Sequence, residues 1–127
     1  MAPSTYPVLV PLGKLTLTGA GTTVNLAVNC GAQAGQVQNQ GTPNVVALPG
    51  KPFRQLILTN VGNGVAYLLP RGAQAALNPS LIMLAIPSGA TVYLPNGQPF
   101  ENAFLPENFD LDCSAACTVY GCGVVNG

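Results

Sequence analysis

No stretch of this chain stays apolar for long. Every apolar run is cut by proline, glycine or asparagine within about ten residues, and 15 Gly and 12 Pro are spread along the 127 residues. Proline removes a backbone donor and clashes with the preceding helical turn, and glycine loses the most entropy on ordering, so helices of useful length have nowhere to form. The runs left between these breaks have the length of β-strands. The clearest lies from Phe53 to Leu69, where two runs rich in Leu, Ile, Val and Tyr flank Asn60-Val61-Gly62-Asn63-Gly64. Two glycines and two asparagines supply the positive φ angles of a tight reversal, which predicts one β-hairpin. Its strands are nearly continuous in hydrophobicity, as expected for strands covered on both faces.

The same reading applies along the chain. Lys14-Leu15-Thr16-Leu17-Thr18 alternates, with Leu15 and Leu17 inward, and Val24 to Cys30 places Val24, Leu26, Val28 and Cys30 on one face. Residues 31–41 are glutamine- and glycine-rich without period and read as an exposed loop, and Asn44–Leu48 reads as a short strand ended by Pro49-Gly50. Ala73–Leu77 reads as one helical turn or a loop. Leu81–Ile86 and Ala90–Leu94 read as strands around Pro87-Ser88-Gly89, and Pro95-Asn96-Gly97 marks another turn. Asn108–Cys113 and Cys117–Gly123 form a last hairpin around Ser114-Ala115-Ala116. That places Phe109, Leu111, Cys113, Cys117 and Val119 inward, with Asp110 and Asp112 outward. Many short strands at turn spacings of about 8–12 residues, without crossover helices, predict an all-β fold, an antiparallel β-sandwich or jelly roll.

Ahead of this domain, residues 1–13 carry Pro3, Pro7 and Pro11 around Tyr6, Val8, Leu9 and Val10. Proline at that spacing leaves an extended N-terminal arm or at most an edge strand. The expected organisation is thus an arm over 1–13 and a single sandwich domain over 14–127. An apolar arm needs a surface to lie on, which is either another subunit or its own domain.

Charge narrows the function classes. Only 6% of residues are charged, against roughly 25% in ordinary globular proteins, and the net charge is zero. Nucleic acid would want a basic patch, and a membrane span about 18 consecutive apolar residues; neither partner is expected. A surface this poor in charge suits a chain packed against copies of itself or a larger lattice. Lys14, Lys51, Arg54 and Arg71 all precede Glu101, Glu107, Asp110 and Asp112. This order is either chance or an acidic C-terminal region, Asp110 and Asp112 included, that meets a basic patch on a neighbouring copy. No Sec signal is recognisable, so synthesis and folding in a cytoplasm are expected, with Cys30, Cys113, Cys117 and Cys122 as thiols at first.

Catalytic signals are absent. The chain has no His, which removes imidazole bases and His-ligated metals, and its acids fit no EF-hand loop. Cys113-x₃-Cys117-x₄-Cys122 has one pair at zinc-like spacing. Three readings stand in order: buried thiols, a late disulfide between Cys113 and Cys117, and zinc. No glycine lies in a phosphate-binding loop, and the four tyrosines are scattered over separate segments. Neither cofactor, metal nor enzymatic activity is expected.

Leu58-Thr59-Asn60-Val61-Gly62-Asn63-Gly64-Val65-Ala66-Tyr67-Leu68, then Ile86-Pro87-Ser88-Gly89-Ala90-Thr91-Val92-Tyr93-Leu94 and the closing 111–119 segment, resemble small virion proteins of tailed bacteriophages. The likeness covers the chain from Arg54 onward and rests on turn chemistry. It implies a capsid decoration or cement protein on the virion surface, bound to the major capsid protein and to copies of itself as a trimer. A tail, fibre or head–tail joining component and a carbohydrate-binding jelly roll are the alternatives.

Overall fold

The computed structural model describes residues 7–28, 53–97 and 105–126. Among these lie eight strands: β1 (Pro7–Leu17), β2 (Val24–Asn25), β3 (Gln55–Asn60), β4 (Ala66–Pro70), β5 (Leu84–Ile86), β6 (Thr91–Leu94), β7 (Phe109–Cys113) and β8 (Cys117–Asn126). They form two four-stranded antiparallel sheets, sheet I in the order β1-β8-β3-β6 and sheet II in the order β2-β7-β4-β5. The pairs are β1 with β8, β2 with β7, β3 with β6 and β4 with β5, so the chain is one long hairpin folded over a sandwich. That is the jelly-roll topology, and it bears out the all-β expectation. The helical elements among the described residues are 3₁₀ turns at Pro79–Leu81 and Pro106–Asn108.

Alternation along each strand builds the core. Leu15 and Leu17 of β1, Leu56 and Leu58 of β3, and Cys117 and Val119 of β8 point from sheet I toward Ala66 and Leu68 of β4 and Leu111 and Cys113 of β7. The Phe53 ring occupies the space over Gly123, where a Cβ would overlap its carbons. Each Leu or Phe buried in this way contributes about 1.5–3 kcal/mol.

The two expected hairpins are not hairpins. β3 belongs to sheet I and β4 to sheet II, so residues 61–65 carry the chain across the sandwich instead of turning it back on its neighbour. β7 and β8 are likewise split between the sheets, with residues 114–116 as the crossing. Gly62 and Gly64 are needed for close approach rather than for positive φ. A Cβ on Gly62 would press on the Cys117 backbone and one on Gly64 on the carbonyl of Ala115, because the two crossings stack against each other. Val61 N–H donates to Thr118 O (2.9 Å), Ser114 N–H to Val65 O (2.9 Å) and Val65 N–H to Ser114 Oγ (2.9 Å).

Asn60 locks this end of the molecule. Fully buried, it donates from Nδ2 to Gly64 O (2.7 Å) and Ile86 O (2.9 Å) and accepts Gly62 N–H on Oδ1 (2.9 Å). Its backbone reaches the β5–β6 crossing through Ala90 O and Gly89 N. That crossing has the expected turn: Ala90 N–H donates to Pro87 O (3.0 Å) and Gly89 holds a φ of +79°. The crossings β1–β2, β3–β4, β5–β6 and β7–β8 all lie at this one end.

Other segments depart from expectation. Strand β2 stops at Asn25 because the Asn25 side chain accepts Ala27 N–H (3.0 Å) and turns the chain there. Leu26 is buried but Val28 is exposed, so the common face expected for Val24, Leu26 and Val28 does not exist. The strand expected over 81–86 is only Leu84–Ile86, preceded by a 3₁₀ turn. The loop at 31–41, the strand at 44–48, Cys30 and Tyr6 lie outside the described residues. From Pro7 onward the backbone joins β1, with Val8, Leu9 and Val10 opposite Val125, Val124 and Gly123 and a register shift between Pro11 and Gly13. β1 is an edge strand, where proline's missing donor is tolerated.

Candidate functional site

The two outer faces of the sandwich differ in what covers them. On sheet II the covering is made by the two acids that pattern alone places in solvent. Asp110 and Asp112 do point away from the core, but they are 7% and 1% exposed, because the segments around 19–22 and 71–78 fold over them. Asp112 Oδ1 accepts Gly21 N–H (2.9 Å) and Cys113 N–H (2.8 Å), and Oδ2 accepts Ala75 N–H (2.8 Å). Asp110 accepts Asn25 Nδ2–H on Oδ1 (2.8 Å) and Gly72 N–H on Oδ2 (3.0 Å). Asn25 Nδ2 also donates to Glu107 O (3.0 Å) and Phe109 O (3.2 Å). An ionised carboxylate is a strong acceptor for several N–H groups, and here each acid fastens a connection to β7. The expectation that Asp110 and Asp112 meet a neighbouring copy through their charge is therefore corrected: both are internal clamps.

Beside Asp112 a cleft of about 240 Å³ opens between Ala20, Gly21, Tyr67, Ala75, Ala76, Ile82 and Ser114. In it Asp112 is engaged by three N–H donors and Ser114 Oγ by Val65 N–H. Tyr67 stands here on sheet II, whereas Tyr93 and Tyr120 stand on sheet I with β3 between their strands. The described tyrosines thus form no shared platform for a sugar ring.

Sheet I keeps open rows. Register places Lys14, Tyr120, Thr59 and Thr91 in one outward row and Pro11, Cys122, Ile57 and Tyr93 in the next, with Thr16 opposite Thr118 beyond them. Tyr120 and Tyr93 are 48% and 46% exposed, and Thr59 and Thr91 join their hydroxyls at 2.8 Å. Lys14 is the one charge in these rows. Two aromatic rings held on hydrogen-bonded strands, among threonines and an isoleucine, make a flat, rigid face that removes little charge from water when covered.

Cys113 and Cys117 lie together in the core cluster at the β7–β8 crossing. Burial, with smaller contributions from Cys117 and Asp112, pushes the Cys113 thiol up to about 11. Burial also raises Cys117 and Cys122. Among the described residues no three His, Cys, Asp or Glu side chains converge on a point that would hold a metal, and no helix is long and apolar enough to cross a membrane. Comparison with family models, curated proteins and solved structures finds no match to this chain.

Proposed function

We propose that this chain is a structural subunit that docks in many copies on a larger protein assembly, using the open rows of sheet I. The observation that carries the reading is a contrast among the described residues: sheet II has clamped loops over it, while sheet I presents Tyr93, Tyr120, Ile57 and Thr91 in rows with a single charge. The particular assembly follows from the resemblance noted above. It is the head of a tailed bacteriophage, on which the protein acts as a decoration or cement subunit contacting the major capsid protein and further copies of itself. A subunit that binds only the assembled lattice shifts the equilibrium away from a broken shell by mass action. β1, through residues 7–12, forms the edge of sheet I and extends the contact.

Leu77, Leu81 and Met83 form a second exposed apolar group, but they stand on the connection before β5 rather than on paired strands. Ordered strands lose less entropy on binding, which favours sheet I. The test is the copy number of the chain in purified particles by quantitative mass spectrometry against the major capsid protein. A ratio near one-to-one supports a shell-covering subunit, a few per hundred moves the protein to the tail, fibre or neck, and absence from particles overturns the virion reading.

A further inference from the structure

The pair Cys113 and Cys117 has a geometry that the structural role leaves unused. Cys113 ends β7 in sheet II and Cys117 begins β8 in sheet I, so the two sulfurs join the sheets at the crossing formed by residues 114–116. Both side chains are buried in one core cluster, at 2% and 5% exposure, each close enough to the other to influence its titration. The crossing is held in place from outside, since the Gly62 backbone packs directly on Cys117 and Val61 N–H bonds Thr118 O.

Cys117, 5% exposed, lines a cleft of about 380 Å³ together with Thr16, Leu17, Thr18, Ala116 and Thr118, and Cys113, 2% exposed, lines the smaller cleft of about 240 Å³ beside Asp112. Burial raises both thiols, so only a small fraction of either is thiolate near neutral pH. Thiolate, not thiol, attacks a disulfide.

We propose that Cys113 and Cys117 are an intramolecular disulfide site, oxidised by a low-molecular-weight disulfide that reaches Cys117 through the larger cleft. Cys117 loses its proton to solvent, and its thiolate attacks one sulfur of the reagent. A mixed disulfide forms and the reagent's S–S bond breaks, releasing one thiolate that takes up a proton. Cys113 then loses its proton and attacks the Cys117 sulfur, displacing the second reagent thiolate. The protein gives up two protons and two electrons, and the reagent disulfide becomes two thiols. The product is a covalent tie between the sheets at the end where the four crossings gather, formed when the chain meets oxidising surroundings.

Glutathione disulfide is the probe. The folded, fully reduced chain is incubated with it, denatured, treated with an alkylating agent and weighed intact, then mapped by peptide. The expected product carries two fewer alkyl groups than the reduced control, with Cys113 and Cys117 as the unmodified pair, and Cys113→Ser stops at a glutathione adduct on Cys117. Full alkylation of all four cysteines after incubation, or a bond that joins Cys30 or Cys122, overturns the proposal. The wild-type map decides this even where the variant fails to fold.

Discussion

The two outer faces come from strands of similarly poor charge, yet among the described residues one has loops clamped over it and the other keeps two open rows. Sheet II has connections that return over it, residues 19–22 and 71–78, and two aspartates on β7 that collect their N–H groups. Sheet I has no such acids among its described outward residues. There the outward positions are threonine, tyrosine, isoleucine, cysteine and one lysine. The lesson is that an acid in an outward position of a strand does not mark a wet face. Where a loop lies over it, the carboxylate is the group that holds the loop down, since unpaired loop N–H groups under cover would be costly.

The comparison breaks most readily at Asp112. Asp112→Ala strips the acceptor from Gly21, Ala75 and Cys113 at once and leaves their donors unpaired. The expected loss is about 3–5 kcal/mol, read from the midpoint of urea unfolding. Asn60→Ala, at the end that both sheets share, removes partners from Gly62, Gly64 and Ile86, for an expected loss of about 2–4 kcal/mol in the same assay.

A pH series probes the thiol pair. The Cys113 thiol is pushed from 9.0 up to about 11, so the folded state holds its proton where the unfolded chain has released it. Its stabilisation is complete below about pH 9 and is lost as pH rises toward 11, an effect on the order of 2 kcal/mol. Unfolding midpoints across that window should fall for the wild type and fall less for Cys113→Ala. The smallest stability effect belongs to the open rows. Tyr93→Ser and Tyr120→Ser should move stability by only about 0.5–1 kcal/mol, yet weaken binding to particles by about 2 kcal/mol each in a sedimentation assay.

Much of this fold can be read from residues alone. Punctuation by Pro and Gly excludes helices, and period-two alternation places Leu15, Leu17, Leu111, Cys113, Cys117 and Val119 inward, as found. The partners of the strands cannot be read the same way. Asn60-Val61-Gly62-Asn63-Gly64 has the chemistry of a hairpin turn, but residues 61–65 are also long enough to cross the roughly 10 Å between packed sheets. The choice is made by contacts distant in sequence, such as Asn60 with Ile86 and Gly64 with Ala115. Asp110 and Asp112 escape for the same reason. Alternation correctly turns them away from the core, but nothing local announces that residues 71–78 come back to bind them. The open rows of sheet I are legible only once register aligns Tyr120 with Thr59 and Ile57 with Tyr93.

The most direct test of open rows that dock and a clamped side that does not is hydroxyl-radical footprinting of the free protein against the protein bound on its particle. The account expects Tyr93 and Tyr120 to lose reactivity on binding while Leu77 and Met83 keep theirs. Protection of Leu77 and Met83 with Tyr93 and Tyr120 still reactive would contradict it, and would move the docking surface to the other side of the sandwich.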